Sequence, residues 1–208
     1  MSPPMKLYYS HNSNPRLAVA VARYTKAPVE YIFANPTDPA QKSFYAPLNP
    51  NRRVPILVED NRPPLWEADA IAARMCQITD SDLWPAADDL PDLLKWLSWT
   101  HDHFGPSCSA FYFENIVKPT FTTHREPPEV MAAHLKDFRY FARMLDGMLK
   151  GRPWLIADRL SFADFRIAFV LPYAAKAGLP LSDYPEIQRL SDQLDQIEAW
   201  RSPFAGLT

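Results

Sequence analysis

Short apolar runs dominate the first third of the chain, and helical stripes dominate the rest. Met5 to Tyr9 reads as a brief strand, followed by a polar loop from Ser10 to Asn14. The period then becomes helical: Asn14 is placed to cap a helix whose first residue is Pro15, where no helical N–H is needed. Leu17, Val21 and Tyr24 form its apolar stripe, and Pro28 stops it. Val29 to Phe33 is a second strand, and Pro39 to Tyr45 predicts a short helix.

The stretch from Asn49 to Ile71 carries the densest signals. Ile56, Leu57 and Val58 follow directly on Pro55, which predicts a buried strand with proline at its entrance. Glu59 to Pro64 is turn chemistry, and Leu65 and Trp66 complete a hairpin. From Glu67 the stripe Ala68, Ile71, Ala72, Met75 and Ile78 predicts a helix. No Ser, Thr, Asn or Asp precedes that helix, so its first N–H groups stay free to receive an anion. Proline holds Val54 extended. Were the Val54-Pro55 bond cis, the chain would reverse sharply and offer both main-chain groups of Val54 to a ligand.

A boundary rich in turn residues runs from Thr79 to Asp89, and beyond it all is helix and turn. Leu90, Leu93, Leu94 and Leu97 begin a long helix reaching towards Val117. Pro119 to Pro128 reads as a loop and Val130 to Leu149 as a second helix. Leu160-Ser161-Phe162-Ala163-Asp164-Phe165 predicts a capping box, with the Asp164 carboxylate reaching back to the Ser161 N–H. A last amphipathic helix starts at Pro185 and carries Ile187, Leu190, Leu194 and Ile197 on one face.

Three motifs taken together resemble the cytosolic glutathione transferase family over the whole chain. They are V-P ahead of a strand, W-E-x-x-A-I at a helix start, and P-W-L-I-A-D-R-L-S-F-A-D-F around the capping box. The order β-α-β-α-β-β-α is that of a thioredoxin-like domain. The resemblance implies an α+β protein: a thioredoxin-like glutathione-binding domain over 1–79, a linker over 80–90 and an all-α helical-bundle domain over 91–208. The loop M-K-L-Y-Y-S-H-N-S-N-P-R-L-A-V looks like the serine enzymes of the theta and delta classes, and the whole is of bacterial type.

Composition narrows the picture further. The 208 residues are enough for two small domains. A net charge of −2 gives no electrostatic argument for nucleic acid. Prolines number 22 against five glycines, so stiff loops and proline-started elements are expected. Cys76 and Cys108 are far apart and form no C-x-x-C, which fits a reducing compartment. Met1 to Lys6 shows no charged-then-apolar pattern, and no apolar run approaches the ~20 residues of a membrane span. The expectation is a soluble cytoplasmic protein with no membrane, nucleic-acid or metal partner.

Glutathione chemistry needs a thiolate at neutral pH, whereas a free thiol has a pKa of ~8.5. A donor to the sulfur must favour the charged form. In this fold the donor lies just after the first strand, where Tyr8, Tyr9, Ser10, Asn12 and Ser13 stand; one of the two tyrosines must face the core. The resemblance to the theta and delta loop puts the catalytic serine at Ser13, with Asn12 and Ser10 as alternatives. Arg16 falls one residue away from the family's arginine.

The same resemblance implies that the backbone of Val54, before Pro55, pairs with the cysteinyl part of glutathione. Glu67 would receive the γ-glutamyl amine. Ala68 stands where the family usually has Ser or Thr, so one hydroxyl partner of the γ-glutamyl carboxylate is missing. Lys42, Arg52 and Arg53 are placed to meet the glycyl carboxylate. On the long helix, W-L-S-W-T-H-D-H-F is similar to a theta-class pattern. There His103, Ser107 and Phe111 are spaced to line a hydrophobic electrophile pocket. Asp102 would reach the glutathione of a neighbouring subunit in a homodimer. His101 and His103 are two apart and make a poor metal pair.

Three functions follow as alternatives. One is a transferase that attacks a hydrophobic electrophile with the glutathione thiolate, in detoxification. Another is a glutathione-dependent thiol peroxidase or disulfide reductase, which Asn12 beside Ser13 keeps open. The third is a non-catalytic ligand-binding protein on the same scaffold.

Overall fold

The first sheet is built from the four strands that the apolar runs predict. A computed structural model describes residues 5–35 and 38–207. It forms two compact units, residues 1–84 with 196–208 and residues 85–195. In the first unit, β1 (Met5–Tyr9), β2 (Val29–Phe33), β3 (Ile56–Val58) and β4 (Leu65–Trp66) lie in the order β2-β1-β3-β4. β1 runs parallel to β2 and antiparallel to β3, and β4 is antiparallel to β3. With helices α1 (Ser13–Tyr24), α2 (Pro39–Tyr45) and α3 (Ala68–Thr79), this is the thioredoxin-like order.

Side chains alternate across the sheet as the pleat requires. Leu7, Tyr9 and Leu57 are completely buried. Tyr8 points the other way and packs with Ala34, Tyr45, Ile56, Leu48, Val54 and Val58. α1 and α3 pack together. α3 buries Ala68, Ile71, Ala72, Met75 and Cys76, whereas the expected last member of the stripe, Ile78, is 40% exposed. Burial pushes the Cys76 thiol up to about 11, so this cysteine is inert packing.

α1 departs from the sequence reading at its start. It begins at Ser13 with Asn12 as N-cap, and Pro15 is its third residue rather than its first. The physical reason is that the opening N–H groups of a helix have no intrahelical partner, so proline is tolerated anywhere among them. The buried face is also wider than a stripe: Pro15 to Ala22 are all buried, while Tyr24 is 37% exposed.

In the second unit, α4 (Leu90–Trp99) and α5 (Gly105–Tyr112) belong to one run that continues to Thr120, close to the expected end. Two π-helical turns, Thr100–Phe104 and Phe113–Val117, interrupt it. At the exit of the first, a Cβ on Gly105 would stand 2.4 Å from the Thr100 carbonyl oxygen, so the turn needs glycine. Leu93 and Leu97 are buried; Leu94 is 51% exposed. α6 (Pro128–Leu149) buries Phe138, Ala142, Leu145 and Leu149. α7 (Phe162–Ile167) carries the expected capping box and is buried throughout. α8 (Ala174–Ala177) is short, and α9 (Pro185–Leu194) buries Ile187, Leu190 and Leu194.

Ile197 is not on that face. α9 ends at Leu194, and a separate α10 (Glu198–Arg201) packs against α1. Residues 196–208 group with the first unit, whereas the resemblance implied a helical domain over 91–208. Trp200, 1% exposed, supplies the driving burial. Among the described residues, no helix is long and apolar enough to cross a membrane.

Candidate functional site

Strand register decides which candidates meet. Tyr8 of β1 pairs with Ile56 of β3, and Ile56 pairs with Trp66 of β4. One step beyond this row lie the loop from Ser10 to Ser13, the Val54–Pro55 pair and Glu67. Three segments distant in sequence thus gather at one end of the sheet. α1 and α3 both begin there, so two helix N-termini offer partial positive charge to the same place.

Ser13 is the first residue of α1 and only 8% exposed. Among the described residues its hydroxyl has no hydrogen-bond partner. Asn12 makes no side-chain cap; its Nδ2 points to the Oγ of buried Ser10 at 3.4 Å, and its carbonyl accepts from the Arg16 amide at 2.8 Å. Tyr9 is the core-facing tyrosine, its phenol pushed up by burial. Tyr8 is half-buried against Phe44 and Tyr45.

The Val54-Pro55 peptide is cis. Among the described residues no hydrogen bond takes up the amide or carbonyl of Val54. The approach to it is fixed by Asn49, 3% exposed, which sequence reasoning had assigned no role. Its Nδ2 donates to the Arg53 carbonyl at 2.8 Å, and its Oδ1 and backbone carbonyl accept from the amides of Asn51 and Arg52. The available signal was an asparagine opening a turn, a residue that habitually bonds backbone close by. Arg52, at φ 52°, and Arg53 are exposed.

Glu67 is the N-cap of α3, with φ 72° and ψ 128° and no capping bond. Its carbonyl accepts from Ile71, and its exposed carboxylate has no partner among the described residues. Ala68 is buried at 4% exposure. Lys42 falls in α2, and its side chain lies outside the described residues.

The second unit's candidates separate. Asp102 and His103 are exposed in the first π-helical turn. The His103 ring lies 5.3 Å from that of Phe141. Ser107 is 2% exposed and donates to the Phe104 carbonyl at 2.8 Å, and Phe111 is 9% exposed. A π-helical turn inserts an extra residue, which rotates His103 away from the Ser107–Phe111 line that regular spacing predicted. His101 is engaged by Arg166, 3.2 Å from its Nδ1. Among the described residues, no cluster of three or more His, Cys, Asp or Glu is arranged to hold a metal.

Comparison with known proteins bears on the family and the fold. Residues 3–73 match the family model "Glutathione S-transferase, N-terminal domain", and residues 100–198 match "Glutathione S-transferase, C-terminal domain". The chain is 26% identical to mouse glutathione S-transferase theta-1 over 160 residues. That match covers 74% of this chain and 65% of the mouse protein, just under two thirds of its length. It is also 26% identical to GstB of Escherichia coli K12 over 164 residues, covering 74% of each. In fold it is similar to a glutathione S-transferase I from mais in complex with an atrazine glutathione conjugate. The TM-score is 0.83, with 18% identity and coverage of 98% and 97%.

Proposed function

The chain belongs to the glutathione S-transferase family, and we propose from that premise that it conjugates glutathione to a hydrophobic electrophile. The observation that carries this reading is the unclaimed Ser13 hydroxyl at the start of α1, at the same end of the sheet as the unpaired backbone of Val54. Glutathione would lie along that end. Val54 pairs its cysteinyl backbone, and the N-terminus of α3 receives the γ-glutamyl carboxylate. Glu67 takes the γ-glutamyl amine. Arg52 and Arg53 face the glycyl carboxylate, and Lys42 of α2 is the third cation assigned to it in this reading.

The Ser13 O–H then donates to the sulfur. A hydrogen bond to the charged form, aided by the helix N-terminus, lowers the thiol pKa. The thiol proton leaves to solvent. The sulfur lone pair forms a bond to the electrophilic carbon, and the leaving group departs with its bonding pair. His103 is the exposed residue proposed to face the electrophile, whereas Ser107 and Phe111 are buried within the second unit and off its line. A homodimer belongs to the same reading, with exposed Asp102 reaching the partner's glutathione.

The fitting experiment is ultraviolet absorbance of bound thiolate against pH, with turnover of a chlorinated nitrobenzene. The parent protein should show a thiol pKa lowered towards neutrality. Ser13→Ala should return it towards ~8.5 and depress turnover while glutathione still binds. Ser10→Ala should do less. One observation favours a second reading: Asn12 is the N-cap of α1 but makes no side-chain capping bond, and it stands exposed beside Ser13. If Asn12→Ala abolishes the pKa shift and Ser13→Ala does not, hydroperoxide or disulfide reduction becomes the better assignment. Binding without either turnover would leave a ligand-binding protein.

A further inference from the structure

The tail that returns to the first unit touches the chain on both sides of Ser13. Upstream, the His11 ring lies 4.6 Å from Phe204 and 5.3 Å from Phe33. Phe204 also stacks on Tyr9, 5.7 Å between centroids and 18° between planes. Downstream, the buried Arg16 guanidinium donates to the Trp200 carbonyl and sits 4.6 Å over the Trp200 ring. Farther along α1, Arg23 donates to the Ala205 carbonyl.

Ser13 stands between these two grips. Its own hydroxyl makes no protein hydrogen bond among the described residues, so its place depends on what fixes its neighbours. The downstream side is a helix, rigid by its own ladder. The upstream side, Ser10 to Asn12, is irregular, and exposed His11 on it carries the ring contacts to Phe33 and Phe204. Phe204 is thus the tail residue that bears on the irregular side of the serine.

We infer that the segment 196–207 is a strap that positions Ser13, with Phe204 on His11 as its working contact. This rests on Ser13 being the sulfur donor. A serine at hydrogen-bond range of a thiolate is sensitive to small displacements, and misplacement of about 1 Å from a distant change can lower a rate by up to ~100-fold. Phe204 is then a positioning residue: it touches neither glutathione nor electrophile.

The test compares Phe204→Ala with Phe204→Tyr, which keeps the ring, and it has two arms. The first is hydrogen exchange of the protein without glutathione. In Phe204→Ala the amides of Ser10 to Ser13 should exchange faster by about tenfold, the scale set by losing an aromatic pair, while α6 keeps its protection. The second is the bound-thiol pKa and steady-state kinetics. In Phe204→Ala the pKa should climb towards ~8.5 and kcat should fall about tenfold. Glutathione affinity should hold, because Val54 and Glu67 are untouched. Phe204→Tyr should restore all three. Unchanged exchange at Ser10 to Ser13 overturns the strap, as does faster exchange of the entire first unit with affinity falling alongside kcat. A parent protein that lowers no thiol pKa sinks the transferase reading instead, and the exchange arm still decides the strap.

Discussion

Asn49 holds Arg53 by its carbonyl, 2.8 Å from the Asn49 Nδ2 and one residue ahead of Val54. With the Asn51 and Arg52 amides also bound to Asn49, a single buried side chain and its backbone shape the turn that presents Val54. Asn49→Ala leaves a carbonyl and an amide without their partner. Stability should fall by about 1–3 kcal/mol in chemical denaturation, and glutathione affinity should drop in calorimetry. A fall in stability with affinity intact would show that Val54 is presented without help from Asn49.

Glu67 and Ala68 make a matched pair of tests. Glu67→Ala should weaken glutathione clearly, and Asp60→Ala, an exposed carboxylate in the hairpin turn, should not. Glu59 is unsuitable as that control. Its carboxylate bonds the Arg74 guanidinium at 2.9 and 2.7 Å, which holds its pKa below the usual range. Ala68→Ser would return a hydroxyl to the start of α3 and should tighten glutathione about fivefold, roughly 1 kcal/mol. Calorimetry reads both; equal affinities for the Glu67 and Asp60 variants count against the assignment of Glu67.

Ala157 stands at φ 48° and Asp158 at φ 53°, in a turn closed by the bridge between Ile156 and Arg159. A Cβ in the left-handed region costs roughly 1–2 kcal/mol, whereas glycine meets no such cost but has more unfolded-state freedom to lose. Ala157→Gly should therefore stabilise the protein by about 0.5–1 kcal/mol, read as a higher denaturant midpoint at constant slope. A lower midpoint would mean that packing of the alanine methyl outweighs the backbone gain.

These positions also show what a sequence can and cannot disclose. The strands and α2 were legible to the residue, because short apolar runs bounded by proline and turn residues have few other readings. Val54, Pro55 and Glu67 were legible as a motif, and the register of β3 against β1 and β4 brings them to one end of the sheet. The start of α1 was not, since proline suits every opening position of a helix. The π-helical turns escaped because a 3.6-residue period was assumed; Gly105 was their one mark, and its need is visible only against the Thr100 carbonyl. The tail escaped for a different reason. Nothing between Leu194 and Ile197 breaks a helix, and the pull on Trp200 comes from Arg16, 184 positions away.

Asp164 offers the pH test. Its carboxylate is fully buried and accepts from the Leu155 amide at 2.9 Å, the Ser161 amide at 2.9 Å and the Ser161 hydroxyl at 3.0 Å. Burial pushes the carboxyl from 3.8 up to about 6, against the pull of those donors. Between these two values the folded protein keeps a proton that the unfolded chain releases. Stability from this group is therefore greatest below about pH 4, declines as pH rises, and levels off above about pH 6. The decline is of the order of 3 kcal/mol at ~1.36 kcal/mol per pKa unit. Glu59, with its lowered pKa, acts in the opposite sense at the acid end, so the comparison must be differential. Asp164→Asn cannot titrate, and the stability difference between parent and variant should shrink as the pH is raised from 4 to 6. Asp164→Ala removes every acceptor and should cost at least about 2 kcal/mol at pH 5. A parent–Asn difference that is flat from pH 4 to 6 in urea denaturation would show that the amide donors keep Asp164 ionised throughout, and that burial does not decide its charge.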